Sequence, residues 1–181
     1  MAKNVLRYLA GTSDRRLTYH RQKQPVLCPL SVYSDASFAN SLSDRRSFSG
    51  FVAFYLGCPI AWSCAKQPVV ALSTTEAEYI ALTSATQSLT WIQQLLADLR
   101  CQSTTKPTLL GDNVSSHYLT RNASLHRRSK HIDVRFHYIR EQYESGKFNL
   151  EFVSGKNNPA DLFTKALQGE HLSYLISMYF H

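Results

Sequence analysis

Four acidic residues stand at the ends of predicted elements, where side chains from distant parts of the chain can converge: Asp35, Glu78, Asp112 and Asp161. Carboxylates gathered in one crevice repel one another and raise each other's pKa values, and divalent cations remove that conflict. Oxygen-only ligands select Mg²⁺ or Mn²⁺ rather than zinc. Two such ions about 4 Å apart activate a water and stabilise the leaving oxygen in phosphodiester cleavage. The four acids therefore predict a two-metal site.

Glu78 is the most informative of these acids because it lies within a long predicted helix, residues 74–99. At about 100° per residue, Glu78 lies roughly 50° from the centre of the apolar face, whereas Glu76 lies roughly 150° away. The helix dipole and water account for Glu76. A carboxylate turned toward a core needs a cation or hydrogen bonds, and a neighbouring Lys or Arg would serve as well as a metal.

The other three acids each have a simpler alternative explanation. Asp35 and Asp112 follow apolar predicted strands, and ligands bind at strand ends in mixed α/β sheets. An acid there is also a common turn former, and Asp112 with Asn113 could simply cap the next helix. Asp161 stands in the first turn of a helix opened by Pro159, where the dipole favours an acid. The sequence alone leaves these alternatives open.

The elements that position these acids follow from hydrophobic periodicity and turn residues. Strands are predicted at 29–38, 48–56, 60–64, 107–111 and 148–153, with residues 17–20 compatible with an edge strand. Helices are predicted at 2–10, 74–99, 113–121, 131–145 and 159–167. The first three strands have short connections, which is typical of an antiparallel meander. The whole order predicts one α/β domain with a mixed sheet and helices on its faces.

Bulk composition narrows the class of protein. The chain has 181 residues, of which 44% are hydrophobic and 18% charged, which fits one globular domain with a terminal extension and excludes disorder. The net charge of +7 favours a polyanionic partner, although it also suits simple solubility. The four cysteines have no metal-site spacing and are interpreted as free thiols. Without a signal peptide or membrane-length apolar run, we expect an intracellular protein (cytoplasm, virus-like particle or nucleus), not secreted and without a membrane partner.

Several strings in the chain occur together and in order in one known family. They are YSDASFANSLSDRRSFSG, STTEAEYIAL, LLGDN, KHIDVRFHYIRE and NNPADLFTKAL. With these strings the chain resembles the ribonuclease H region at the end of the Pol polyprotein of copia-type LTR retrotransposons. The similarity covers residues 4–168, and VLRYLAGTSD resembles the family's segment just before this domain.

The resemblance implies a ribonuclease H-like α/β fold, in which a five-stranded mixed sheet is flanked by helices. It implies hydrolysis of the RNA strand of RNA–DNA hybrids with two Mg²⁺ or Mn²⁺ ions. Matched by position, the catalytic and metal-binding acids are Asp35, Glu78, Asp112 and Asp161. The implied partners are the hybrid and the reverse transcriptase region of the same polyprotein. The predicted division is an N-terminal extension (1–28), the ribonuclease H domain (29–168) and a C-terminal tail (169–181).

Substrate contacts are predicted at two places. Ser73, Thr74 and Thr75 stand at the start of the long helix, where hydroxyls suit a phosphate or 2′-hydroxyl, although capping explains them equally well. The basic segment 121–140 is a second candidate, with a solvated basic face as the alternative. Its predicted contacts are Arg127, Arg128, Lys130, His131 and Arg135, to which Arg45, Arg46 and Lys66 add charge. Trp62 and Trp91 are expected in the core.

One departure from the family pattern bears on activity. Many ribonucleases H have a histidine in the loop before the last aspartate, whereas here that loop, residues 154–158, has none. Three functions therefore compete at this stage. The chain is an active endonuclease on hybrids, a catalytically weak or inactive domesticated module that binds nucleic acid or a partner, or a different nuclease with the same fold, such as a strand transferase or resolvase.

Overall fold

The structure is a computed structural model that describes residues 2–19, 29–101, 103–121 and 130–179, with the backbone alone for residues 130–136. The strands are β1 (Leu30–Ser37), β2 (Phe48–Tyr55), β3 (Cys58–Lys66), β4 (Thr108–Gly111) and β5 (Asn149–Phe152). The helices are α1 (Ala2–Gly11), α2 (Thr74–Asp98), α3 (Val114–Arg121), α4 (Lys130–Glu144) and α5 (Gly169–Ser177), with short 3-10 helices at Gly155–Asn157 and Pro159–Phe163. None of these described helices is both long and apolar enough to cross a membrane.

The five strands form one mixed sheet in the order β3-β2-β1-β4-β5. β1 pairs antiparallel with β2, and β2 antiparallel with β3, which confirms the predicted meander. β4 pairs parallel with both β1 and β5. This arrangement places β1 and β4 side by side at the centre, so that residues following either strand emerge at the same edge. The predicted α/β class with a five-stranded mixed sheet and flanking helices is confirmed.

Helix α2 covers one face of the sheet and packs against β1, β2 and β4. Of the apolar face that the 3.6-residue period predicts, Ala77, Ala81, Ala85, Leu89 and Ile92 are buried. The same period also placed Leu95 and Leu99 on that face, but both are exposed, because the last turns of the helix extend beyond the core. The helix begins where Ser73 caps it, because the Ser73 hydroxyl accepts a hydrogen bond from the backbone of Glu76. Glu76 returns the contact by accepting from the backbone N–H of Leu72 at 2.8 Å. Reciprocal capping of this kind fixes the first turn.

The opposite face of the sheet carries the Pro159–Phe163 helix and α5. Val52 and Phe54 of β2 pack there against Ala160 and Tyr179. The predicted α-helix over 159–167 is wrong: the chain forms a 3-10 helix that begins under the Asn158 cap and ends at Thr164. The backbone N–H groups of Asp161 and Thr164 each bond the carbonyl three residues earlier, which is the 3-10 pattern, whereas Lys165 bonds four residues back, to Asp161. The segment after residue 168, predicted as a tail, forms α5 and buries its Leu175 fully.

Three further expectations concern single residues or short segments. Both tryptophans were expected in the core, and this is wrong, because Trp62 is 50% and Trp91 62% exposed. Trp62 lies on the edge strand β3, and Trp91 lies at the polar border of α2, so neither is covered by a second layer. Residues 17–19 form no strand, and residue 20 lies outside the described part. Cys58, Cys64 and Cys101 form no disulfide with one another, and Cys28 lies outside the described residues.

Candidate active site

Asp35 forms the buried floor of the candidate site. It lies in β1, two residues before the strand ends, and is fully buried opposite Gly50 of β2. A Cβ atom at position 50 would lie 2.6 Å from Thr164 Cγ2 and 3.0 Å from Phe163 Cβ. Glycine therefore lets the last 3-10 helix approach the sheet directly over Asp35. Because the two segments lie this close, the Thr164 hydroxyl donates a hydrogen bond to Asp35 Oδ2.

Glu78 points toward the same floor from the first turns of α2. The backbone N–H of Ala36 donates to its carboxylate, and burial, followed by the charges of Asp35 and Asp112, raises the pKa of Glu78 to about 9. The ion pairs among the described residues include no lysine or arginine on Glu78. The alternative in which a basic side chain neutralises Glu78 therefore finds no support in the described part of the chain.

Asp112 follows β4 at the edge of the sheet where β1 also ends. The capping role that the sequence left open for it belongs to its neighbour, because Asn113 Oδ1 accepts from the backbone N–H of Ser116 at 2.8 Å. Burial, and then the charge of Asp35, raises the pKa of Asp112. Its Oδ2 would lie 3.1 Å from a Cβ atom placed on Gly155, so the loop before the last acid packs directly against this carboxylate.

The three acids converge on one point. One carboxylate oxygen from each of Asp35, Glu78 and Asp112 lies within 4.8 Å of the other two. These side chains come from a strand, a helix and a strand end, and they are brought together by the parallel neighbours β1 and β4 with α2 across them. Burial is the main cause of the raised pKa values of Glu78 and Asp112, and the nearby like charges add to it unless a cation joins the acids.

Asp161 is linked to this cluster through a lysine. It lies in the Pro159–Phe163 helix, is buried, and contacts Lys165 Nζ at 2.8 Å through its Oδ1. The same ammonium contacts Asp35 Oδ1 at 3.1 Å. Burial raises the pKa of Asp161 against the opposing effect of the lysine. Burial lowers the pKa of Lys165, but its bond to Asp161 and the charge of Asp35 outweigh that effect and raise it overall.

The donor set fits hard divalent cations. Every candidate ligand is a carboxylate oxygen, and oxygen ligands at the mouth of a sheet are those that Mg²⁺ and Mn²⁺ prefer. A cationic group already lies among the acids, since the Lys165 ammonium occupies the space between Asp35 and Asp161. The three-acid cluster of Asp35, Glu78 and Asp112 is compact enough for all three to contact a single ion.

Three residues of this site were not singled out from the sequence. Thr164 and Lys165 both contact Asp35, and the buried Asn158 donates from Nδ2 to the backbone oxygen of Ser34 at 3.0 Å. Asn158 thereby ties the loop to β1 while its Oδ1 caps the following helix. A signal for Lys165 was present, because an acid and a lysine at i and i+4 often pair. Nothing in the local sequence indicates the contacts to Asp35, which is 129 and 130 residues away.

The predicted substrate contacts are only partly within the described chain. Ser73 caps α2, so the capping alternative accounts for its hydroxyl, and Thr74 beside it is exposed while Thr75 is half-buried. Arg127 and Arg128 lie outside the described residues, and so do the side chains of Lys130, His131 and Arg135. In the β1–β2 loop, Asp44 pairs with Arg46 and Lys66 and so offsets part of their positive charge.

The loop that lacks the family histidine has a histidine beside it. Residues 155–157 form a 3-10 turn, and His171 of α5 places its Nε2 3.2 Å from the backbone oxygen of Lys156. Tyr174 donates to Asn157 Oδ1 at 3.1 Å, and Tyr179 donates to the backbone oxygen of Pro159 at 2.8 Å. Helix α5 therefore holds the segment that contacts Asp112 and contributes Asp161.

Sequence relatives of the chain are transposon polyproteins. It is 39% identical over 165 residues to the retrovirus-related Pol polyprotein from transposon RE2 of Arabidopsis thaliana, a match covering 91% of this chain and 11% of that protein. It is 36% identical over 165 residues to the Pol polyprotein from transposon TNT 1-94 of Nicotiana tabacum, covering 91% of this chain and 12% of that protein. The chain thus spans about a tenth of the length of these relatives. No protein-family model matches it.

Solved structures with the same fold include ribonucleases H. LC11-RNase H1 in complex with an RNA/DNA hybrid superposes with a TM-score of 0.53 at 14% identity, covering 75% of this chain and 93% of that one. The foamy viral protease-reverse transcriptase in complex with an RNA/DNA hybrid gives 0.54 at 12% identity, covering 91% of this chain and 26% of that one. Identities this low establish the fold alone. The sequence matches show that the chain is homologous to a segment of copia-type retrotransposon Pol polyproteins, and the structural matches show that it has the ribonuclease H fold.

Proposed function

We propose that the chain is a ribonuclease H that hydrolyses the RNA strand of RNA–DNA hybrids with two divalent ions, Mg²⁺ or Mn²⁺. The observation that carries the proposal is the meeting of Asp35, Glu78 and Asp112 within 4.8 Å, with Asp161 joined to Asp35 through Lys165. The fold and the Pol relatives point to the same chemistry. A role in reverse transcription, in an intracellular compartment, follows from that family.

In this proposal the four acids hold the ions, and the surrounding residues hold the acids. Asp35 is fixed by the Thr164 hydroxyl, and Glu78 by the backbone N–H of Ala36. When bound, the ions activate a water and stabilise the leaving 3′-oxygen of the RNA. Because burial and neighbouring charges raise the pKa values of Glu78, Asp112 and Asp161, these acids bind cations in exchange for protons.

Substrate binding is proposed to depend on shape and charge. The wide minor groove of a hybrid presents 2′-hydroxyls and phosphates, which polar side chains and helix N-termini contact without reading sequence. The start of α2, with Ser73, Thr74 and Thr75, and the basic segment 121–140 are the proposed contacts. The sequence places Arg127, Arg128, Lys130, His131 and Arg135 in that segment.

The proposed protein partner is the reverse transcriptase region of the same polyprotein. The relatives are Pol polyproteins about ten times the length of the matched segment. Helix α1 presents Val5, Leu6 and Leu9 to solvent, which is costly for a helix that works alone. A polymerase region placed before α1 would be close enough to cover this surface.

The experiment is cleavage of a labelled hybrid by the purified chain with Mg²⁺ or Mn²⁺, beside duplex RNA and duplex DNA of the same sequence. We expect cleavage of the RNA strand of the hybrid only, and its loss in Asp35→Asn and Glu78→Gln. Glu76→Gln is the matched control, since Glu76 caps α2 and faces away from the cluster. Binding without cleavage under both metals would leave a binding module, and cleavage of duplex DNA would identify a different nuclease.

A further inference from the structure

Lys165 brings a positive charge to the floor of the acid cluster. Its Nζ lies 2.8 Å from Asp161 Oδ1 and 3.1 Å from Asp35 Oδ1. The Lys165 side chain is 38% exposed whereas Asp35 is fully buried, so the lysine reaches inward from the solvent edge. The i, i+4 spacing from Asp161 holds its stem on the same side of the chain.

Asp35 belongs to two parts of the site. With Glu78 and Asp112 it forms the three-acid cluster, in which the described ion pairs include no lysine or arginine on the other two acids. With Asp161 it forms a second pair of acids, and Lys165 bridges that pair. The three-acid cluster can therefore accept an added cation, whereas the Asp35 and Asp161 pair already contacts the Lys165 ammonium.

An ammonium group and a divalent ion compete for the same carboxylate oxygens. Each needs the lone pairs that Asp35 and Asp161 direct toward the space between them. A divalent ion in that space would also lie within a few ångströms of the ammonium, where like charges repel strongly. The two cations therefore cannot share the position that Lys165 now occupies.

We propose that the Lys165 ammonium occupies the second metal position in the metal-free protein, where it bridges Asp35 and Asp161. It is displaced from that position when a second divalent ion binds. The inference rests on the proposed function only for the identity of the metal-binding acids. Its consequence is two binding steps of unequal affinity. The first ion binds the three-acid cluster, and the second binds against the lysine.

The test is to titrate the whole chain with Mn²⁺ in the absence of nucleic acid. Calorimetry and electron paramagnetic resonance of free Mn²⁺ measure the binding. Wild type should bind one ion tightly and a second more weakly. Lys165→Met and Lys165→Gln should tighten the second step by roughly tenfold or more, because a nearby like charge is removed. Lys156→Met removes the same charge from an exposed neighbouring loop, and we expect its second step to match wild type.

Thermal unfolding separates this role from simple misfolding. In chelator, both Lys165 variants should melt below wild type, since two buried carboxylates lose their counter-ion. Mn²⁺ should raise their melting temperatures by more than it raises that of wild type, because the ion replaces the lysine. A variant that folds only with Mn²⁺ would support the proposal for the same reason.

Two results would overturn the inference. One is a second Mn²⁺ step in both Lys165 variants that is no tighter than in wild type. The other is a second Mn²⁺ step in Lys156→Met that is tightened as much as in the Lys165 variants, which would indicate that any lost positive charge has this effect. Wild-type hybrid cleavage is measured separately. Two unequal Mn²⁺ steps that respond to Lys165 without any cleavage would refute the proposed function but keep this inference, and cleavage with an unresponsive second step would refute the inference alone.

Discussion

At the scale of single residues, burial and the neighbouring acids raise the pKa of Glu78 to about 9. Its carboxylate is desolvated, close to Asp35 and Asp112, and satisfied mainly by one backbone N–H. An acid whose folded pKa is raised holds its proton after the unfolded chain has released it. The metal-free protein therefore loses stability as pH rises between those two pKa values.

The first prediction concerns Glu78→Gln without metal. In wild type the unfolded pKa is near 4.5 and the folded pKa of Glu78 about 9, so stability should fall as pH rises between these values. Glu78→Gln has no carboxyl at this position, so its free energy of unfolding should rise relative to that of wild type as the pH increases across that range. Urea unfolding at a series of pH values in chelator measures the difference. Glu76→Gln should keep the wild-type slope, and parallel wild-type and Glu78→Gln profiles would contradict the argument.

The second prediction concerns Gly50, the residue that lets the last 3-10 helix lie over Asp35. Gly50→Ala places a methyl group 2.6 Å from Thr164 Cγ2 and 3.0 Å from Phe163 Cβ. Relief of this overlap should cost about 1–3 kcal/mol of unfolding free energy and weaken Mn²⁺ binding, since Thr164 and Asp161 must move. Gly11→Ala is the control, because nothing lies within 4 Å of its new Cβ. Unchanged Mn²⁺ affinity in Gly50→Ala would refute this account.

The identity of the candidate acids could be predicted from the sequence better than their partners could. Glu78 was separated from Glu76 by helical phase alone, and the structure places Glu78 in the three-acid cluster and Glu76 in the helix cap. Thr164 and Lys165 were missed because their contacts to Asp35 depend on how two sheet faces and a loop meet. A local pattern indicates which way a side chain faces, but it does not indicate which residue, 130 positions away in the chain, will contact that side chain.

At the scale of elements, hydrophobic periodicity and turn residues predicted the five strands and helices α1 to α4, but not the form of the segment 159–167 or the packing of α5. The 159–167 segment was predicted as an α-helix, but Asn158 and Thr164 are held by β1 and confine it to a 3-10 helix. Helix α5 was not given a packing partner, because its apolar residues face a sheet surface that the sequence does not reveal. His171 of that helix contacts the loop beside Asp112, and Tyr179 just after the helix contacts the segment that contains Asp161.

The third prediction tests α5 as part of the site's support. Leu175 is fully buried, so Leu175→Ala should cost about 2–5 kcal/mol of unfolding free energy. Hybrid cleavage measured well below the melting temperature should also fall, since the 154–163 segment loses its backing. Leu42→Ala is the matched control at a side chain that is 90% exposed, and should change stability by less than about 0.5 kcal/mol. Equal stability of the two variants would place α5 outside the folded unit.

At the scale of the whole molecule, the net charge of the chain and the charge of the acid cluster have opposite signs. The chain carries a net charge of +7, yet its candidate active site is a cluster of acids joined by one lysine. A polyanionic hybrid would be repelled by the acids alone. We therefore expect the basic residues of segment 121–140 to contact the phosphate backbone of a hybrid, while cations offset the charge of the acids.

The fourth prediction tests that division of labour with Arg127→Gln combined with Arg128→Gln. If both arginines contact phosphates, hybrid affinity should fall and the slope of log affinity against log salt should lessen by up to about 2. Fluorescence anisotropy across a KCl series measures the slope, in a Glu78→Gln background so that the substrate stays intact. Mn²⁺ binding in the unaltered background should stay the same, because these charges act on the substrate.

The matched control for this pair is Lys3→Gln with Arg7→Gln, which removes the same charge from exposed positions on α1. Net charge alone would weaken binding equally in both pairs, since a diffuse field depends on total charge rather than on contacts. Phosphate contact would lower the slope only in the Arg127 and Arg128 pair, because counterions are released where a cation meets a phosphate. Parallel salt plots for the two pairs would therefore exclude Arg127 and Arg128 as phosphate contacts, and would leave the rest of segment 121–140 and the start of α2 as the proposed contacts.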